Sequence, residues 1–206
     1  MSLFNFKKRT NFPEAAEVLA KEGFTDNYID VLKGELEKAE RHQDIARGKN
    51  FLANALLIRG RLTEAYAVFE EINIKKLEKH LRGNLISNMI FCQFVQDHFK
   101  AAEELYQTYN AIVLGESSEV MKRSLAIHEH IMGRYEVAVE IIAKMGDSSC
   151  RFLDICMVKA LLRLDMFAQA EDFSLNFDRY KDCNELSKEV GKLKKKVRAK
   201  IDSEIK

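Results

Sequence analysis

With 206 residues, 47% of them hydrophobic and 32% charged, the chain has the make-up of a folded protein rather than a disordered one. Its 33 basic and 32 acidic residues nearly cancel, which excludes a global field directed at nucleic acid or an anionic membrane. Nine glycines and a single proline leave few tight turns and favour long helices over many short strands.

No apolar run approaches the roughly 20 residues that a membrane-spanning helix needs. The first residues, MSLFNFKKRTNF, place their lysines after the apolar residues with no apolar stretch to follow, so no secretion signal is expected there. Cys92, Cys150, Cys156 and Cys183 form no C-x-x-C pair. Reduced thiols in a cytoplasmic protein are expected, with Cys92 and Cys156 buried as small hydrophobes.

Residues 11–44 hold two helical patterns. Pro13 suits a first helical turn, with Glu14 and Glu17 near its positive end, and Gly23 suits its termination. Thr25 or Asp26 opens the second, whose apolar face is Tyr28, Val31, Leu32, Leu36 and Ala39.

From residue 46 a unit recurs. GRLTEAYAVFEEI carries Leu62, Ala65, Phe69 and Ile72; DHFKAAEELYQTY carries Phe99, Ala102, Tyr106 and Tyr109. GRYEVAVEIIAKM then carries Tyr135, Ala138, Ile142 and Met145, and DMFAQAEDFSLNF carries Phe167, Ala170, Ser174 and Phe177. The alanines stand 37, 36 and 32 residues apart, each preceded by another helical pattern that ends at a glycine or aspartate. Two linkers also match, GESS at 115–118 and GDSS at 146–149, where glycine suits a left-handed helix end and serine a following cap. An alanine between large residues suits a close helix crossing.

Helix–turn–helix units near this period resemble the tetratricopeptide repeat, over residues 46–180 and in about four units. Leu52, Ala53, Leu56, Gly60, Leu62, Ala65 and Phe69 carry the resemblance best. Later units depart from it at Ile90, Asp97, Val158 and Ser174, and the family's proline at the end of each unit is missing. The resemblance implies an all-α, right-handed superhelix of antiparallel helix pairs, a single domain spanning residues 1–206. Residues 182–206, with Leu186, Val190, Leu193, Val197, Ile201 and Ile205 at steps of three and four, are then a capping helix.

No chemistry of catalysis is legible. Glycine-rich phosphate loops are lacking, and His128 and His130 lie on different faces of a helix, so they cannot chelate one metal. Cys92 and His98 are likewise badly placed for a nucleophile and its base. The expectation is a non-enzymatic adaptor without cofactor or metal.

Its binding surface follows from the resemblance, which turns certain positions of each first helix toward the concave groove. These include Arg47, Asn50 and Asn54 in the first unit, Phe91 and Phe94 in the second, Arg123, Ile127 and His130 in the third, and Lys159, Leu162 and Arg163 in the fourth. Asn54 and Asn88 match the asparagines with which some family members hold a C-terminal carboxylate. Asn50, Val120 and Ser124 replace that clamp's cations, which removes support for such a ligand. The expected partner is an unidentified protein or peptide, held by Asn54, Asn88, Phe91, Arg123 and Ile127 in an apolar groove edged by amides and guanidinium. Two alternatives stand beside it. One is a nucleic-acid-associated regulator using Lys192, Lys194, Lys195, Lys196, Arg198 and Lys200; the other is a structural protein that self-associates through the last helix.

Overall fold

The computed structural model describes residues 12–115, 118–146 and 152–204. Among them are eleven α-helices and no strand, so the fold class is all-α. The chain divides into two compact units, the first ending at Leu81 and the second starting at Arg82.

The first unit holds α1 (Pro13–Glu22), α2 (Asp26–Glu37), α3 (His42–Ile58) and α4 (Leu62–Glu70), then a 3₁₀ turn at Ile74–Lys76. Pro13 opens α1, and Gly23 ends it at a φ of 75°. The first backbone N–H groups of a helix lack partners within it. In α1 two of them are answered from α2, because the Glu35 carboxylate accepts from the N–H of Glu14 at 3.1 Å and of Ala15 at 2.9 Å. Thr25 caps α2, its hydroxyl accepting from the Tyr28 N–H at 3.2 Å. Successive helices of the unit pack on one another, α1 on α2, α2 on α3 and α3 on α4. The buried face of α2 is Tyr28, Ile29 and Leu32, with Val31 and Leu36 half-buried, so the expected stripe is rotated toward Ile29. Gly48 allows the approach of α3, since a Cβ there would lie 2.6 Å from the Phe12 ring and 2.7 Å from Leu36 Cδ1.

The second unit holds most of α5 (Lys79–Val95), then α6 (Phe99–Leu114), α7 (Ser118–Ile131), α8 (Tyr135–Ala143), α9 (Leu153–Arg163) and α10 (Phe167–Ser174). A 3₁₀ turn at Leu175–Tyr180 leads to α11 (Asn184–Glu204). From α6 onward each helix packs on the next, and α9 also touches α7 and α11.

The sequence repeat is also a repeat of backbone geometry. In the four hairpins α3–α4, α5–α6, α7–α8 and α9–α10 the turn passes through Gly60, Asp97, Gly133 and Asp165, at φ of 73°, 62°, 77° and 55°. The residue after each of them sends its N–H back to the first helix, as Arg61 to Leu56 O, His98 to Gln93 O, Arg134 to Glu129 O and Met166 to Leu161 O, at 2.9–3.0 Å. A left-handed residue closing such a bond is a Schellman helix end, for which glycine is best and aspartate is among the tolerated alternatives. Four residues after each bond-closing residue, Ala65, Ala102, Ala138 and Ala170 begin the ladder of the second helix, and all four are wholly buried.

The two serine-containing linkers behave differently. Gly146 takes the left-handed conformation at φ 55°, whereas Gly115 is right-handed at φ −83°, because α6 runs on to Leu114 and ends in a tight 3₁₀-type bond from Gly115 N–H to Ile112 O. Residues 116–117 and 147–151, with Cys150, lie outside the described residues, and so does Ile205. The expected apolar stripe of α11 is buried at Leu186, Val190, Leu193 and Val197. It faces α10, α9 and the second 3₁₀ turn.

Candidate functional site

The five residues expected to hold a partner divide between the two units. Asn54 lies on α3 in the first unit, half-buried, with its amide donating to the Asn50 carbonyl at 2.7 Å. The other four lie in the second unit, and there Asn88, Phe91 and Arg123 meet. Arg123 on α7 donates to Ser87 Oγ through Nε at 3.1 Å and Nη2 at 2.7 Å, and to Asn88 Oδ1 at 2.6 Å. Ser124 adds a hydroxyl bond to the same Ser87 oxygen at 2.8 Å. The Arg123 guanidinium lies 5.8 Å from the centre of the Phe91 ring, and the Phe152 ring stacks on that ring at 4.6 Å.

This cluster ties α5 to α7 and to the residue preceding α9. Phe91 and Ile127 have no exposed surface, and Arg123 is only 5% exposed. A ring with no accessible face cannot form a docking surface in this conformation. Phe91 and Ile127 are therefore packing residues of the second unit, contrary to the role expected for them. The misassignment has a physical cause: an apolar position on the inner side of a first helix looks the same in sequence whether a ligand or the adjacent helix covers it.

A different place on the second unit is open. A cleft of about 650 Å³ is bounded by Asp97 and Phe99 at the α5–α6 turn, by His130 at the end of α7, and by Lys159, Leu162 and Arg163 on the last turns of α9. Its other wall is α11, through Leu193, Lys196, Ala199, Lys200 and Ser203. Ligand sites commonly have this size, with apolar walls and few polar groups.

At its base lies a buried lysine. Lys159 is 7% exposed, and its ammonium donates to the Phe94 carbonyl at 3.0 Å and to the Asp97 carboxylate. It also stands 4.9 Å from the centre of the Phe94 ring and 5.5 Å from that of Phe99. Burial lowers the pKa of Lys159 below the usual lysine value, an effect the bond and charge of Asp97 offset in part. Partial burial raises the pKa of Asp97, but the Lys159 bond and the charges of Lys159, Lys196 and Arg163 outweigh it and leave that carboxyl below its usual value. His130 is packed among Phe94, Phe99 and Tyr135, and its Nδ1 is buried with no hydrogen-bond partner among the described residues. Burial first, then the charges of Lys159 and Arg163, push its pKa down to about 4, so the imidazole is neutral at pH 7.

Comparison of the chain with protein-family models, with curated proteins and with solved structures finds no match.

The remaining groups with chemical potential are engaged in packing. Burial pushes the Cys92 thiol up to about 12, far from a thiolate at neutral pH. His128 bonds Glu103 at 2.7 Å and stacks on Tyr106, while His98 bonds Gln93 at 2.9 Å. Among the described residues no group of three or more His, Cys, Asp or Glu side chains is arranged to hold a metal ion, and no helix is long and apolar enough to cross a membrane. Along α11 the basic run is partly compensated. Lys192 pairs with Glu189 at 2.7 Å, Lys194 with Asp178 at 2.6 Å, and Arg198 with Glu171 at 3.4 Å and Asp202 at 3.3 Å.

His130, Lys159, Leu162 and Arg163 are all positions that the repeat resemblance turns toward the groove. The share of α11 in the cleft was not legible, because its residues are more than 30 positions distant from Lys159 in sequence. One signal was present: a lysine in the middle of the apolar run LDICMVKALLR requires a partner when it is buried.

Proposed function

We propose that this chain is a tetratricopeptide-like repeat protein acting as a non-enzymatic protein-interaction module, working in the cytoplasm without a cofactor. Four hairpins with one turn geometry and one wholly buried alanine each support the repeat reading. The observation that carries the interaction reading is the cleft, in which groove-facing residues of the third and fourth hairpins and one face of α11 leave a mixed apolar and cationic cavity uncovered. The ligand is a peptide segment of a partner protein. It is seated there rather than over Phe91 and Ile127.

Selection of peptides from a random display library against the full-length protein tests this. Enriched peptides should bind one to one in calorimetry, and Leu162→Glu, which puts a charge on the half-buried apolar wall, should abolish binding with the melting temperature unchanged. If no peptide binds saturably, or if Leu162→Glu binds equally well, the interaction reading at this cleft is wrong.

A further inference from the structure

We infer that the cleft of the second unit is an acidic-peptide site: Arg163, Lys196 and Lys200 receive side-chain carboxylates of an internal partner segment, and an apolar side chain of that segment lies on Phe99 and Leu162. The inference rests on the interaction reading above and adds the chemistry of the partner.

Charge complementarity carries it. Among the described residues four cations and one carboxylate line the cleft, and that carboxylate, Asp97, is already taken by Lys159. Arg163, Lys196 and Lys200 are left without an ion-pair partner among the described residues; Lys200 only overlies the Phe167 ring at 5.6 Å. Their neighbours along α11 make the contrast. Lys192, Lys194 and Arg198 each have an acidic partner, whereas neither lysine of α11 that lines the cavity has one; outside it Lys188 and Lys195 also lack one among the described residues. The floor beneath them is only partly wet, with Leu193 buried and Phe99 and Leu162 half-buried. Cations beside a partly dehydrated wall attract carboxylates more strongly than they would on an open surface.

The buried base adds little net charge. His130 is 5% exposed and lines the cleft as a neutral imidazole, and the Lys159 charge is balanced by Asp97. A cationic segment would therefore meet Arg163, Lys196 and Lys200 with no acidic group of the cleft left to answer it among the described residues. A single terminal carboxylate would leave some of the three cations unanswered, because they come from two helices, Arg163 from α9 and the lysines from α11. Several acidic side chains can answer all three. A nucleic-acid strand fits less well, since it needs a row of uncompensated cations at phosphate spacing, and outside the cleft Lys192, Lys194 and Arg198 of α11 are paired, which leaves only Lys188 and Lys195 there without an ion-pair partner among the described residues.

Fluorescence anisotropy on the full-length protein provides the test, using an acetylated and amidated dodecapeptide of glutamates with one central phenylalanine. Its glutamine counterpart and an oligouridylate of equal length are the other probes. The acidic peptide should bind, weaken steeply with salt, and lose about tenfold in affinity with Arg163→Glu and with Lys196→Glu. Lys192→Glu, an equal change of net charge outside the cleft, should have little effect, and the glutamine peptide should bind far more weakly. Melting temperatures of the variants establish that they fold, which the exposure of both cleft side chains favours. The inference is overturned if the acidic peptide fails to bind, or binds equally to the cleft variants and to Lys192→Glu. It is also overturned if the oligouridylate binds more tightly and displaces the peptide. Library peptides that are neutral yet sensitive to Leu162→Glu would sink the acidic ligand and keep the interaction module, whereas absence of any peptide binding would remove both.

Discussion

Asp97 and Asp165 occupy equivalent turn positions, at φ of 62° and 55°, where the other two hairpins have Gly60 and Gly133. Replacement by glycine should nevertheless act in opposite directions at the two sites. A left-handed conformation costs an L-residue roughly 1–2 kcal/mol, near the lower end for aspartate. Glycine removes that cost but adds about 0.5–1 kcal/mol of unfolded-state entropy. Asp165 is exposed and has no ion-pair partner among the described residues, so Asp165→Gly should be neutral or stabilising by about 0.5 kcal/mol. Asp97 carries the same backbone balance and also bonds the buried Lys159 ammonium, whose side chain is 6% exposed. Removing a charged partner from a buried group costs about 1.5–3 kcal/mol. Because Asp97 itself is 51% exposed, solvent screening favours the lower part of that range. Asp97→Gly should therefore destabilise by about 1–1.5 kcal/mol after the backbone gain is subtracted. Urea titrations followed by circular dichroism measure both values. In a Lys159→Met background the sign at Asp97 should reverse, because only the backbone effect remains. Equal shifts for the two glycine variants, or a destabilising Asp97→Gly in the Lys159→Met background, would refute the role assigned to the ion pair.

Three further outcomes follow from the packing and titration of the second unit. Ala102→Phe should overpack the α5–α6 hairpin and lower stability by about 1–3 kcal/mol or more, since Ala102 is wholly buried; a variant that melts with the wild type would disprove the crossing. His130, at about 4 in the folded protein against 6.5 for the free group, binds its proton more readily when unfolded, so stability should fall as pH drops from 6.5 to 4. The loss should approach about 3 kcal/mol, and His130→Phe should flatten that part of the pH–stability curve while leaving stability near pH 7 largely intact. Truncation after Lys181 should expose the apolar residues covered by Leu186, Val190, Leu193 and Val197, and light scattering should report aggregation; a monomer of unchanged stability would show that α11 is an independent arm.

The sequence disclosed the parts of the fold that rest on local rules. Ala65, Ala102, Ala138 and Ala170 are buried because only a small residue fits between helices that cross closely, and that requirement shows as spacing. Pro13, Gly23 and Thr25 work at helix ends for reasons contained within a few residues. Asp97 looked like a departure from glycine, yet it adopts the left-handed turn, as Asp165 also does, since aspartate tolerates what most side chains do not. Positions that depend on tertiary partners were less legible. Phe91 and Ile127 have the right pattern for a groove, but Phe152 and the Arg123 guanidinium lie against the Phe91 ring, and neither Phe91 nor Ile127 has exposed surface. The Asp97–Lys159 pair joins residues 62 positions apart, and no periodicity marks which lysine a given turn will meet.

Position-specific photocrosslinking tests the interaction account most directly. A benzophenone amino acid placed at Ser203, on the α11 wall of the cleft, is compared with one at Val137, which is 42% exposed on α8 and does not line the cleft. The account predicts that, in cells of the source organism, the Ser203 probe joins a discrete protein through a segment rich in glutamate and aspartate, that the Val137 probe does not, and that adding Arg163→Glu removes the adduct. Identical adducts from both positions, or an adduct at Ser203 that persists with Arg163→Glu and Leu162→Glu, would contradict it.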